Sequence, residues 1–235
     1  VRAERAAEPR LMQAEEREAA VDAGGFQVTF RIPGRISIGA DEGAKSFRIA
    51  TQTIAPDLLV RTAPALDPTA FLEAGFKHGE EAPLLPGRVA LYRDGTLVGR
   101  GEVPLAGKEE AVRLGFGADD RIKVARTILR KVEGSGGLLS SAKTDEREFR
   151  ISVRNGHDGP VKVVVEDQLP VSETADIQVE MLPGATQPTQ RDVRDRRGVL
   201  AWQLDLNSGE ARDIRLGWRI RWPADKSITL QPQRP

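Results

Sequence analysis

His78 and His157 are the chain's two histidines, and it has no cysteine. That inventory excludes disulfides, thiolate nucleophiles, cysteine-based zinc sites and three-histidine metal centres. His157 lies in Asn155-Gly156-His157-Asp158-Gly159-Pro160. A serine-type site there would need Asp158 to orient the imidazole and a distant hydroxyl to meet it. Neighbours on a tight turn seldom converge, so the segment reads as a solvated turn. His78, with Glu80 and Glu81, offers one nitrogen and two carboxylates to a metal, but the spacing matches no zinc motif. Asp205-Leu206-Asn207-Ser208-Gly209-Glu210 imitates the start of a calcium loop without its third acidic position or its distal bidentate glutamate, and reads as a strand-end turn. The glycine-rich run from Gly134 to Gly137 lacks the lysine and following helix of a phosphate loop. No metal, cofactor or catalytic residue is expected.

Carboxylates and arginines remain. A glycoside hydrolase needs two acids facing each other across a cleft, about 5 to 10 Å apart. Asp119-Asp120, Glu166-Asp167 and Glu109-Glu110 all stand beside turns or strand ends, where acids are common. Arg215, Arg219 and Arg221 share one face of a strand, where guanidinium groups could grip the carboxylates of an acidic polysaccharide; the competing reading is a solvated face with cross-strand acids. Arg191-Asp192-Val193-Arg194-Asp195-Arg196-Arg197 alternates in sign. It reads as a loop of self-neutralising ion pairs, with a recognition loop built on Arg194, Arg196 and Arg197 as the alternative. Trp202, Trp218 and Trp222 fall in register with Leu and Ile and so read as core or rim packing rather than a sugar-stacking platform.

These side chains are carried on a chain of 235 residues, enough for one to two domains. Lys plus Arg and Asp plus Glu each number 35, giving a net charge of zero. A protein that lives on phosphate contacts carries a basic surplus, so nucleic acid is not expected as a partner. No run approaches the roughly 18 to 20 apolar residues of a spanning helix, so no membrane insertion is expected. The chain begins at a Val, without a signal-peptide pattern, and reads as a mature or truncated product. With 23 glycines and 15 prolines it is rich in turns, as chains of many short strands are.

Residues 1–25, rich in Ala, Glu and Arg, read as a linker or helix remnant. From Phe26 the apolar period becomes two: Val28, Phe30 and Ile32, then Phe47 and Ile49, then a strand from Leu58 to Ala63. Asp67-Pro68 opens a short helix near 68–76, with Asp67 as cap, Pro68 at the first position and Gly75 near the end. Asp94-Gly95 marks a hairpin between Val89 to Tyr92 and Thr96 to Val103. Gly115, Gly117 and Asp119-Asp120 set a domain boundary, giving a β-rich domain over 26–119 and a second domain over 120–235. In the latter, Ile122 to Val132, Phe149 to Val153, Val161 to Val165, Ile177 to Val179, Leu200 to Leu206 and Ile214 to Trp222 alternate as strands. The fold class is mainly β: two antiparallel sandwich-like domains, the second immunoglobulin-like.

Phe30-Arg31-Ile32-Pro33, Leu84-Leu85-Pro86-Gly87, Arg93-Asp94-Gly95 with Val98-Gly99, Leu114-Gly115-Phe116-Gly117-Ala118-Asp119, Val153-Arg154-Asn155, Glu166-Asp167-Gln168-Leu169-Pro170 and Gly198 to Trp202 follow one another in an order that resembles the C-terminal domain of the mucoidy inhibitor A family, a domain of unknown function. The resemblance runs from about residue 26 to 228. It implies a periplasmic or secreted cell-envelope protein, tethered through residues 1–25 to a coiled coil that could make it oligomeric, and linked to a mucoid, exopolysaccharide-producing phenotype. It supplies no reaction. The expectation is a noncatalytic binding or structural module showing loops and sheet edges to a protein or an acidic envelope polysaccharide; the alternative is a polysaccharide hydrolase with a carboxylate site between the domains.

Overall fold

A computed structural model describes residues 20–24, 27–31, 48–135 and 142–229. The strands are β1 (Ala20–Gly24), β2 (Gln27–Arg31), β3 (Asp57–Ala63), β4 (Asp67–Lys77), β5 (Gly87–Arg93), β6 (Thr96–Val103), β7 (Ala111–Ala118), β8 (Ile122–Ser135), β9 (Ala142–Asn155), β10 (Val161–Gln168), β11 (Gln178–Met181), β12 (Gln190–Arg191), β13 (Val199–Leu206) and β14 (Ala211–Pro223). A 3₁₀ turn, Val193–Asp195, follows β12. The protein is mainly β, in several sheets.

Alternation of apolar and polar residues explains the two largest sheets. One has the order β12-β13-β10-β3-β4-β7, the other β11-β14-β9-β8. Val163 and Val165 of β10, Leu200, Trp202, Leu204 and Leu206 of β13, and Val60 and Ala70 of β3 and β4 enter one buried cluster with Phe149, Ile151 and Val153 of β9 and Ile214, Leu216, Trp218 and Ile220 of β14. Residues two apart lie on the same face of a strand, so each strand contributes one apolar side to this cluster.

The six-stranded sheet takes β3, β4 and β7 from before residue 119 and β10, β12 and β13 from after it. The boundary expected at 119/120 therefore falls between strands of one sheet. Not every pairing is antiparallel: β3 runs parallel to β10, with Val60, Arg61 and Thr62 beside Val163, Val164 and Val165. Alternation has the same period in both kinds of ladder, so strand direction is invisible to it. Two smaller sheets, β1-β2 and β5-β6, complete the described chain. Asp94 and Gly95 join β5 to β6 with both residues at positive φ (51° and 78°), the geometry that the Asp-Gly pair favours.

The short helix expected near 68–76 is instead strand β4, paired on both sides. Ala70 and Ala74 are buried with Leu72 half-buried between them. The four-residue spacing of the two alanines fits a helix face or every second residue of a strand equally well. Two sheet ladders decide in favour of the strand. The Asp67 carboxylate accepts a hydrogen bond from the Thr69 N–H at 2.7 Å, so the capping chemistry is real but starts a strand. The linker expected over 1–25 is also corrected at its end, because Ala20–Gly24 pairs with β2; backbone pairing needs no large apolar side chain. Gly115 and Gly117 lie inside β7, which runs on through them, but the ladder with β4 shifts register there and Gly117 has a positive φ of 80°. Ile49 lies outside the strands, and the expectations for residues 1–19 and for Ile32 and Phe47 lie outside the described residues.

Ile151 has no exposed surface. Ile151→Ala is expected to lower unfolding stability by about 2 to 4 kcal/mol, through lost transfer energy and a residual cavity. Chemical denaturation measures it, and a loss below about 1 kcal/mol would show that the sheets do not close tightly at this residue.

A candidate site on the outer face of the six-stranded sheet

Glu166 and Asp167 are adjacent on β10 and point to opposite faces, as strand geometry requires. Asp167 faces inward. Its carboxylate accepts a hydrogen bond from Arg126 Nε of β8 at 2.8 Å, which ties one sheet to the other. The Arg126 guanidinium also sits 3.7 Å from the centre of the Phe149 ring. Burial raises the Asp167 pKa above the usual carboxylate value, with Arg126 only partly opposing it.

Glu166 faces outward and is nonetheless buried, at 5% exposure. Three arginines from two distant stretches of chain cover it. Arg61 of β3 donates from Nη1 to Oε1, Arg194 donates from Nη2 to both oxygens at 2.8 and 2.7 Å, and Arg196 donates to Oε2 at 3.2 Å. Arg61 also donates through Nε to Glu73 of β4 at 2.9 Å. Burial works against the Arg61 charge, but Glu73 and then Glu166 outweigh it and hold its pKa above the ordinary guanidinium value. The parallel register explains the meeting: Arg61 stands beside Val164, which shares a face with Glu166.

Arg194 reaches Glu166 only because its loop is contorted. Asp192, Arg194 and Asp195 all have left-handed backbones, with φ of 50°, 56° and 59°. Each such residue costs on the order of 1 to 3 kcal/mol and persists only where its surroundings hold it there. Asp192 Oδ1 accepts the Gly198 N–H at 2.7 Å, and Val193 is buried with Val199 and Ala201 beneath the loop. Next to the cluster lies a cavity of about 470 Å³, lined by Arg61, Glu73, Arg113, Leu114, Gly115, Gln190, Val193 and Arg194.

The six arginines singled out in the sequence do not form one patch. Arg194 and Arg196 converge on Glu166, whereas Arg197 is exposed and makes no ion pair among the described residues. Arg215, Arg219 and Arg221 lie on the outer face of the four-stranded sheet. There Arg219 donates to Glu146 of β9 and Glu180 of β11, the cross-strand acids that a solvated face supplies, and these two carboxylates raise its pKa. Arg215 stands opposite Arg150, and Arg221 between Thr144 and Gln178. Trp202 and Trp218 are buried and Trp222 packs partly buried at the margin of the core.

His157 pairs not with Asp158 but with Asp119, Nε2 lying 2.9 Å from Oδ2. Asp158 is exposed and pairs with Arg121. The His157–Asp119 pair borders a cavity of about 640 Å³, and no serine, threonine or cysteine lines it among the described residues. His78 is buried, with Nε2 2.6 Å from the Ala82 carbonyl oxygen, while Glu81 pairs with Lys108. No group of three metal-ligating side chains occurs among the described residues. Sequence reasoning missed Arg61 and Arg113. The one signal for Arg61 was a charge inside an otherwise apolar strand, which requires a buried partner.

The family model for a domain of unknown function, DUF4139, matches residues 1–224, and the chain belongs to that family. It is similar to Protein F37C4.5 of Caenorhabditis elegans, 25% identical over 178 residues that cover 72% of this chain and 32% of that protein. The chain thus matches about a third of the length of this curated relative. No solved structure matches it significantly.

Two outcomes follow from the opposed acids. Glu166→Gln leaves three arginines around a neutral amide and is expected to cost roughly 3 kcal/mol, the order seen when one partner of a buried ion pair is removed. Limited proteolysis should then cut within 192–197; resistance equal to wild type would show that Glu166 does not hold the loop. For Asp167, the folded state keeps a proton that the unfolded chain has already released, between the usual carboxylate pKa and the raised one. Stability contributed by this group therefore falls as pH rises through that window and is level above it. The stability difference between wild type and Asp167→Asn, measured by urea unfolding from pH 4 to 7, should show that downward slope.

Proposed function

We propose that this DUF4139 chain is a noncatalytic binding module that takes up an extended segment of another protein along β8. Its placement in the cell envelope, within a protein of the mucoidy inhibitor A type, is carried by the sequence resemblance. Support for the binding mode comes from one observation. Fourteen-residue β8 lies at the end of the four-stranded sheet and pairs with β9 alone among the described residues. It leaves Ile128, Leu129 and Val132 exposed, at 60%, 43% and 41%.

A long apolar edge offers both terms of strand addition: unpaired backbone groups for affinity and side-chain contacts for specificity. The ladder shifts register between Ile128 and Arg130, so Leu129 is an extra residue opposite β9. Such a bulge limits indiscriminate pairing at an edge. Of the cations flanking the apolar residues, Arg130 pairs with Glu146 and Lys131 with Glu133, while exposed Lys123 has no ion partner among the described residues and favours an acidic side chain on the partner strand. The acids that a hydrolase would need also act elsewhere in this reading, with Glu166 and Asp167 on opposite faces and Asp119 bound to His157.

Incubation with a panel of envelope polysaccharides is expected to leave their chain lengths unchanged, and any new reducing end that the protein generates would overturn the noncatalytic reading. Acidic, apolar-alternating peptides selected from a random library are expected to bind. The Ile128→Glu, Leu129→Glu double variant should weaken them at least tenfold, with stability within about 0.5 kcal/mol because both side chains are exposed. Undiminished peptide binding by this variant would remove β8 from the mechanism.

A further inference from the structure

We propose that the cavity beside the Glu166 cluster is a binding site for a small organic carboxylate, held between Arg113 and Arg194 over Gly115. This goes beyond strand addition at β8 and does not depend on it, because the cavity lies on the outer face of the other large sheet.

The charge balance of the walls selects an anion. Arg61, Arg113 and Arg194 line the cavity against one lining carboxylate, Glu73. Arg61 is committed to Glu73 and Glu166. Arg113, on β7 opposite Gly75, is exposed and makes no ion pair among the described residues. A guanidinium has five N–H donors, and Arg194 uses only Nη2 on Glu166, so its Nε and Nη1 donors remain for a ligand. The cation is also held in place in advance. The left-handed backbone at Asp192, Arg194 and Asp195, together with the two bonds to Glu166, holds the guanidinium where a flexible surface arginine would lose entropy on binding.

The floor of the cavity points the same way. Gly115 lies inside β7, directly opposite Glu73, and a Cβ built on it would meet no atom within 4 Å. Neither a close contact nor a left-handed backbone demands glycine there. Glycine weakens a strand interior, and one found there often marks a place where a ligand approaches the backbone. Removing the side chain at 115 keeps the space between Arg113 and Arg194 open.

A carboxylate fits these walls better than a phosphate dianion. It is planar and monoanionic, so it can take paired hydrogen bonds from a guanidinium fork. A second negative charge would be pressed toward Glu73. The volume of about 470 Å³ falls in the range of small-molecule sites and suits a sugar acid or an amino-acid-sized molecule. Gln190, on β12 at the other wall, adds a neutral amide that can both donate to and accept from hydroxyl or amide groups.

Isothermal titration at low salt tests this with galacturonate and N-acetylglutamine, two monoanionic sources of the same group. Galactose, N-acetylglutamine amide and inorganic phosphate serve as comparisons. Saturable binding of either acid, weakened by added salt and absent for its neutral counterpart, is expected, and the acid that binds identifies the source. Arg113→Ala should weaken it at least tenfold. Gly115→Leu, which fills the open space without removing a charge, should do the same while the melting curve shows the fold intact. Arg215→Ala, on the other sheet, should leave binding unchanged, as should the Ile128→Glu, Leu129→Glu variant. The proposal is overturned if neither acid binds, if phosphate binds more tightly than both, or if the Arg113 and Gly115 variants bind as wild type does.

Discussion

Arg61 and Glu166 stand 105 positions apart in the chain, and they meet because β3 and β10 run side by side in a parallel register. On the inward face that pairing sets Val60 beside Val163 and brings β3 and β4 into the core shared with β9 and β14. On the outward face it brings Arg61 within reach of Glu166. Closing so long a loop costs entropy, and that cost grows only slowly with loop length, so a short parallel ladder backed by a buried apolar face can offset it. Remove the ladder, and both the core contribution of β3 and the arginine cluster above it lose their support.

Glu166 and Asp167 show how one peptide bond separates two electrostatic tasks. Asp167 meets a single arginine in the dry space between sheets, where desolvation dominates and the carboxyl resists ionisation. Glu166 meets three arginines at the rim, where solvent reaches Arg194 and Arg196 and the charges are shared more cheaply. The inner pair links the two sheets. The outer cluster anchors a strained loop and leaves donors free at its margin.

The zero net charge takes on a local meaning from these contacts. Much of it is spent internally, as in the linked ion pairs of Arg219 with Glu146 and Glu180, Arg130 with Glu146, and Lys162 with Asp57. Two features left open among the described residues carry the proposals above: the apolar edge of β8, and Arg113 at the cavity lined by Gly115. Both suit recognition by a fixed scaffold, in which rigid strands hold contact groups in place before a partner arrives.

Strand character was legible wherever one face is apolar and the turn is explicit. Leu200 to Leu206, Ile214 to Trp222 and the Asp94-Gly95 hairpin follow directly from period-two alternation and from backbone preference, both local properties. The identity of β4 was not legible, because Ala70 and Ala74 satisfy a helix and a strand alike and the deciding ladders come from β3 and β7. Nor could the sequence pair His157 with Asp119 instead of Asp158, or bring Arg194 and Arg196 to Glu166, since each contact joins residues at least 28 positions apart. By itself the sequence determined which residues alternate, where the chain turns and which chemistries lack their side chains. Only the tertiary structure decided strand direction, sheet membership and charge partners, because those depend on backbone groups and side chains brought together from distant parts of the chain.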